Sequence, residues 1–396
     1  MRIGIITDFF PMYGAKTIAK LAHYLEKSGH SVVILTSTSS QTGSYYESGT
    51  EKYLDKSVLI RLNSKYFTPS GSPIALPLSL PILANRFFTL CSVDIVHIHF
   101  LASYSFQMYA LLATVRKQFP LVATPHGVIA GYSSPFMKIM AHCVRAASKI
   151  SLKSIDSFTV VSKLSGSFLH SLGVPLNRIK YVPNGVDTSI FFPQPKNIAE
   201  HVLGLKHSEN IRVLFLAHLR ESKGVDLFLD AARNIHSNHK GVEFIVVGSG
   251  PLENHVSDRC SKSNGCISHI SYLDESLLSA AFNIVDVYVL PSYVEGLPQS
   301  LLEAMACGIP CIATDVGGVS ELFPSDTTSF LIPPGDRQAL EEAIIQLIEN
   351  KQLRDKIAKL QHAHVIENYS LETTGLLQLS VYKKLIKMEE NHQFPS

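Results

Sequence analysis

A chain of 396 residues is long for one compact core, so two domains of about 100 to 200 residues each are expected. Its hydrophobic content of 46% and mean hydropathy of +0.16 exclude a disordered chain, and a net charge of +2 supplies no global field for nucleic acid. Six scattered cysteines read as reduced thiols rather than a disulfide framework, which suits the cytoplasm.

Residues 2–7 form an apolar run ended by Asp8, too short for the apolar core of a signal peptide, and read as a strand. A loop with Pro11 and Gly14 follows, and then Ile18, Leu21, Ala22 and Leu25 recur at helical spacing before Gly29 stops them. Residues 31–36 are a second, β-branched run. The opening is therefore a βαβ unit, which implies a parallel sheet. Short apolar runs continue the alternation at 94–99, 121–124, 157–161 and 179–182. For His97 and His99, two histidines of one such strand, the expectation is opposite faces. The longest apolar stretch, 100–115, contains Ser103, Tyr104, Ser105 and Gln107 and falls short of the roughly 20 residues that span a bilayer. Between 136 and 153 a helical pattern sets Lys138, Arg145, Lys149 and Lys153 near one face. A solvated basic face is the ordinary outcome of such a pattern; the alternative is peripheral contact with anionic lipid.

The segment PNGVDTSIFFPQPKN at 183–197 has three prolines and no periodicity, which marks a linker with the domain boundary near Phe192. Beyond it the alternation restarts with strands at 212–216, 243–247, 286–290, 311–314 and 330–332, and with helices at 226–235 and from Pro298. Ser370 is placed to cap a last helix that could pack back on the first domain. The organisation expected is α/β throughout: a Rossmann-like domain at 1–190, a second at 191–370 and a returning helix at 371–396. Ligands of open α/β sheets sit beyond the carboxyl ends of the strands, so the cleft between two such domains is the expected site.

The most informative segment, DVYVLPSYVEGLPQSLLEAMACGIPCIATDVGG, runs from Asp286 to Gly318. A buried strand ends at Leu290, a loop carries Glu295 and Gly296, and Pro298 opens a helix where a missing N–H is tolerated. Backbone N–H groups near Gly296, Leu297 and Gln299 would then face an anion, favoured by the helix dipole. Glu295 lies before the helix and Glu303 inside it, with seven residues between them, so the two could grip different parts of one elongated ligand. Arg220 and Lys223 follow a strand and could hold a phosphate, although such a pair is usually a solvated turn. Cys260, Cys266, His255 and His269 cluster, but their spacing fits no familiar zinc pattern.

The Glu295–Glu303 segment resembles the marker of the retaining GT-B glycosyltransferases called group 1, or family four. Agreeing stretches occur at Gly14, at Gly29–His30, and in PHG at 125–127, PNGVD at 183–187, KGVD at 223–226, VVGSGP at 246–251 and IPPGD at 332–336. The resemblance implies two Rossmann-like domains facing each other across a cleft. It implies that Glu303 binds the nucleotide ribose, that Glu295 with Gly296, Leu297 and Pro298 holds the donor sugar, and that Lys223 holds the diphosphate. His126 would lie near the transferred sugar, and Gly14 with Ala15 near a phosphate. The chain departs from the pattern twice: Ala15 replaces a second glycine, and His218 stands where many members have an arginine. Arg220 matches a second family pattern and is assigned the cationic role.

With no Asp-x-Asp motif, cationic side chains rather than a metal would carry the diphosphate charge, and neither a metal nor another cofactor is expected. The activity implied is transfer of a sugar from a UDP- or GDP-sugar to a glycan or lipid-linked acceptor, with retention at the anomeric carbon. The alternatives are a nucleotide-sugar epimerase, which needs no acceptor, and a silent nucleotide- or glycan-binding protein.

Overall fold

Strands that are apolar on both sides belong in the middle of a sheet covered on both faces, and the apolar runs lie there except 179–182 and 330–332, which form edge strands. The computed structural model describes residues 1–7, 16–37, 49–62, 65–67, 74–76, 80–99, 109–110, 118–125 and 152–392. The chain forms two compact units, Met1–Pro183 with Thr374–Ser396, and Asn184–Thr373.

In chain order the first unit contains β1 (Arg2–Ile6), α1 (Lys16–Lys27), β2 (Ser31–Ser37), β3 (Gly49–Lys52), β4 (Val58–Leu62), β5 (Lys65–Phe67) and β6 (Ile74–Leu76). It continues with α2 (Leu80–Leu90), β7 (Ile95–His99), β8 (Leu121–Thr124), β9 (Ser157–Val160), α3 (Lys163–Ser171) and β10 (Ile179–Tyr181). Its sheet runs β10-β9-β8-β7-β1-β2-β4-β3, parallel except for the edge strand β3. Ile3, Ile5, Ile95 and Val122 face α1 through Ile18, Ala22 and Leu25, while Val96, Ile98, Leu121 and Ala123 face Ala84 and Phe88 of α2.

That alternation corrects the expectation for the two strand histidines. Side chains two residues apart share a face, so Ile95, His97 and His99 line one side, and the His97 and His99 rings lie 4.1 Å apart. His97 is buried. Its Nε2 pairs with Thr124 Oγ1 at 2.6 Å and its Nδ1 with the Tyr382 hydroxyl at 2.6 Å; Thr124 pairs in turn with Thr159.

The second unit contains α4 (Lys196–Val202), β11 (Ile211–Leu216), α5 (Val225–Asn238), β12 (Val242–Val247), α6 (Glu253–Ser261), β13 (Ile267–Ile270) and α7 (Leu278–Asn283). After these come β14 (Val287–Leu290), α8 (Gln299–Ala306), β15 (Cys311–Thr314), β16 (Leu331–Ile332), α9 (Arg337–Glu349) and α10 (Lys351–Tyr369), and then α11 (Leu371–His392), which belongs to the first unit from Thr374 onward. All neighbours in the second unit's sheet, β13-β12-β11-β14-β15-β16, are parallel. Read from β11, that is the doubly wound Rossmann order, which reverses direction between β11 and β14. Phe215, Phe228 and Phe244 form the core against α5, with ring centroids 5.4 and 6.0 Å apart. Each buried ring contributes ~1.5 to 3 kcal/mol.

The chain crosses from the first unit to the second inside the proline-rich segment. Asn184 Nδ2 donates to Leu297 O, and Val186 N donates to Tyr369 O, which ties this stretch into the second unit. Ser370 Oγ accepts from Thr373 N at 3.1 Å and caps α11. Further along α11, Tyr382 reaches His97 of the first unit, to which residues from Thr374 onward belong.

Candidate functional site

Four loops at the carboxyl ends of β11, β12, β14 and β15 make the site of the second unit. After β11, residues Glu221–Lys223 form a 3₁₀ turn. After β14, residues 291–298 lead into α8, with Pro298 as its N-cap. These two loops flank the point where the strand order reverses, where open α/β sheets bind ligands.

Three contacts cross that point. The Tyr288 hydroxyl donates to Leu216 O at 3.0 Å, Tyr293 N donates to Ser222 O at 2.8 Å, and Lys223 Nζ donates to Glu295 Oε1 at 2.7 Å. Ser292 Oγ also donates to Glu295 Oε1, at 2.7 Å. Both bonds go to one carboxylate oxygen, so among the described residues Oε2 keeps its lone pairs for another donor. The Glu295 side chain is 7% exposed and that of Lys223 26%, so the ammonium faces solvent more than its partner does.

Close backbone approach fixes Glu295. Gly317 has φ +61°, and a Cβ there would lie 2.0 Å from Glu295 O. Beside it, Gly318 N donates to Gly296 O at 2.8 Å, and Thr314 Oγ1 donates to Ser292 O. The glycine turn after β12 packs as tightly: Gly248 has φ +148°, and a Cβ on it would lie 1.9 Å from Ala217 O.

In α8 the first N–H groups have no intrahelical acceptor. No backbone carbonyl among the described residues accepts from Gly296, Leu297 or Gln299 N–H. Leu297 is buried and Pro298 contributes no donor. Glu303 lies one turn inside α8 and is 6% exposed. Burial pushes the Tyr288 hydroxyl well up, and the nearby Glu295 and Glu303 carboxylates add to this. Cys307, one turn after Glu303, is pushed up to about 12, first by burial and further by the Glu303 charge. At neutral pH it is a thiol, not a nucleophile.

The structure thus brings Lys223, Glu295, Gly296, Leu297, Pro298 and Glu303 to one end of one sheet. Arg220 stands at the start of the same turn, exposed. Gly14, Ala15 and His126 lie outside the described residues, as do Lys138, Arg145 and Lys149; Lys153 is exposed. The clustered histidines have other partners: His255 pairs with Asp226 at 2.7 Å, and His269 Nε2 with Gly248 O. Among the described residues no group of three or more His, Cys, Asp and Glu could hold a metal, and no helix is long and apolar enough to cross a membrane. Sequence inspection missed Ser292, three residues before Glu295, and Tyr288, an apparent core aromatic whose hydroxyl also hydrogen-bonds with Ser300 Oγ.

Two family models match nearly end to end, Glycosyltransferase Family 4 at residues 14–190 and Glycosyl transferases group 1 at residues 198–362. The chain belongs to the group 1, family four glycosyltransferases. Within this family it is similar to N-acetyl-alpha-D-glucosaminyl L-malate synthase of Bacillus anthracis, 24% identical over 76% of this chain and 77% of that protein. Several other curated relatives are matched over about half their length. Two solved structures share the fold of this glycosyltransferase. The sucrose-phosphate synthase of Thermosynechococcus elongatus has a TM-score of 0.81 at 19% identity, covering 98% of this chain and all of that one. HepE of Anabaena, in complex with UDP, has a TM-score of 0.75 at 17% identity, covering 97% of this chain and all of that one. The architecture is that of the GT-B glycosyltransferases.

Proposed function

We propose that this glycosyltransferase moves a hexose or related sugar from a UDP- or GDP-sugar to a hydroxyl of a glycan or lipid-linked acceptor, retaining the anomeric configuration. The reading belongs to the synthesis of cell-surface polysaccharide or glycolipid. It is carried by one observation, the Lys223–Glu295 pair bridging the switch point of the second unit.

Lys223 and Arg220 stabilise the charge that grows on the diphosphate as the sugar–phosphate bond breaks. Glu295, with Oε2 open to a donor, accepts from the sugar hydroxyls, and the N–H groups of Gly296, Leu297 and Gln299 serve the donor beside the helix start. Glu303, buried behind them, accepts from the ribose hydroxyls. Attack comes from the face the phosphate leaves, and the departing phosphate takes the acceptor proton while His126 positions the sugar. No metal is required, because the fixed cations meet the charge. The work is done in the cytoplasm, with peripheral contact to anionic membrane through the basic face that includes Lys153.

Incubation of the protein with UDP- and GDP-sugars and candidate acceptors, with the product's anomeric configuration read by NMR, tests the proposal. The expected result is an acceptor-dependent product with the donor's configuration. Inversion would refute the mechanism, and an altered sugar formed without acceptor would establish an epimerase.

A further inference from the structure

Two side-chain amides tie the loop that carries Glu295 to the segment by which the chain enters the second unit. Asn184 Nδ2 donates to Leu297 O at 2.9 Å, and Gln299 Nε2 donates to Gly185 O at 3.0 Å, so the two bonds run in opposite directions between 184–185 and 297–299. A carbonyl can only accept, so each amide must turn its NH₂ group to the backbone opposite. The oxygens of both amides are buried and have no partner among the described residues, which leaves each arm a single bond. Pro298 lies between the two points of attachment, and neither the Leu297 nor the Gln299 N–H beside it has a backbone acceptor among the described residues.

The entering segment is itself held. Val186 N donates to Tyr369 O and Leu371 N to Val186 O, each at 2.8 Å, which makes a parallel bridge between Val186 and Ser370. The chain enters the second unit at Asn184 and leaves it after Thr373, so this bridge joins its two crossing segments. From Tyr369 the path returns to the loop: its hydroxyl donates to Glu321 O at 2.7 Å, Glu321 N to Gly318 O at 3.2 Å, and Gly318 N to Gly296 O at 2.8 Å. These contacts close a ring.

We infer, resting on the proposed function, that Asn184 and Gln299 are positioning residues for the donor. They hold the 296–299 segment ready for it and carry its binding to the crossing segments at 184–186 and 369–371. Neither amide needs to touch the donor. A segment already pinned loses less freedom when a ligand arrives, and the affinity gained in this way is lost when a pin is removed. Because both bonds join the same two segments, each lowers the cost of forming the other, so their effects are coupled rather than additive. The coupling also runs outward: a donor that stiffens 296–299 stiffens, through the two amides, the bridge at Val186. A pair that served stability alone would leave that bridge blind to the donor.

The test combines isothermal titration with hydrogen exchange, read by mass spectrometry on the full-length protein, using whichever of UDP-glucose and GDP-mannose binds. In the wild type the donor should slow exchange in peptides covering 184–187 and 369–371. Gln299→Met and Asn184→Ala should each weaken donor binding about 3- to 10-fold, the worth of one hydrogen bond, and the double variant should lose less than the product of the two. At donor concentrations that saturate each variant, the slowing at 184–187 and 369–371 should disappear. Folding of each variant is checked by circular dichroism, and because the two residues stand at opposite ends of the clamp, either one decides. Slowing that is absent from the wild type or survives in the saturated variants, an unchanged Kd, or single effects that multiply would each overturn the inference while leaving the donor site standing. A wild type that binds no nucleotide sugar would instead overturn the proposed function, and this inference with it.

Discussion

The two ends of the second unit's sheet use the same kinds of charged residue to opposite effect. At the amino end of β11, Arg212 is 5% exposed and donates to Glu200 Oε1 at 2.7 Å and to Glu243 Oε2 at 3.1 Å. Glu200 also meets His207 at 2.9 Å, and Asp286 takes both Arg212 N and Lys196 Nζ. The buried Glu200 and the Glu243 beside it are each bonded at both oxygens. At the carboxyl end, by contrast, Lys223 has a single partner, Glu295 uses one oxygen, and Arg220 has no ion pair among the described residues. A saturated network fixes structure, because a buried charge left alone is costly. A partly filled one keeps bonds in reserve for a ligand.

Breaking each end separately should make that contrast measurable. Arg212→Ala removes the buried partner of Glu200 Oε1 and leaves Glu200, 3% exposed, to His207, and should destabilise the second unit by about 3 kcal/mol, read by denaturant unfolding, with donor Kd little changed where the protein stays folded. Lys223→Ala should do the reverse. Its kcat should fall by about 100- to 1000-fold, since leaving-group charge is greatest in the transition state, while stability drops by no more than ~2 kcal/mol. If Lys223→Ala unfolds the protein as readily as Arg212→Ala, the carboxyl-end pair is structural.

The smallest effect expected is in the pH dependence of stability. Hydrogen bonding from His207 first, and then from Arg212, holds the Glu200 carboxyl down at about 2 against its usual 4.5, with burial opposing. Its contribution is therefore present above 4.5 and is lost as pH falls through that window. His207 is raised by its bonds to Glu200 and Glu209, so its contribution is full below 6.5 and is lost as pH rises through its folded value. Thermal unfolding should show a stability maximum at mildly acidic pH. His207→Gln should flatten the alkaline side and also weaken the acid side, since the same bond holds Glu200 down, and an unaltered alkaline slope would assign it to another group.

Much of this was legible in the sequence because central parallel strands are apolar on both faces. The runs 2–7, 243–247 and 311–314 each contain a largely buried strand. β13 was not legible: ISHI is an edge strand with exposed alternate residues, and nothing apolar runs through it. Opposite faces is the wrong expectation for His97 and His99, because side chains two apart in a strand share a face. Glu295, Glu303 and Lys223 were recognisable from local spacing, since each sits next to a strand end or helix start. Their pairing was not, because Lys223 and Glu295 are 72 residues apart and only the strand order brings their loops together. The Arg212 network escaped for the same reason, its members coming from α4, β11, β12 and the start of β14.

The most direct test of the carboxyl-end site is thermal unfolding of the wild type, Glu303→Gln and Lys223→Ala with and without saturating UDP- and GDP-sugars. A ligand that binds only the folded protein stabilises it by about 2.7 kcal/mol at a hundred times its Kd. The expected result is a clear rise in the wild-type Tm with one donor, and a much smaller rise in both variants at the same donor concentration, because a buried bond to a charged group is worth ~1.5 to 3 kcal/mol. An equal rise in all three proteins would place the donor elsewhere and contradict the site.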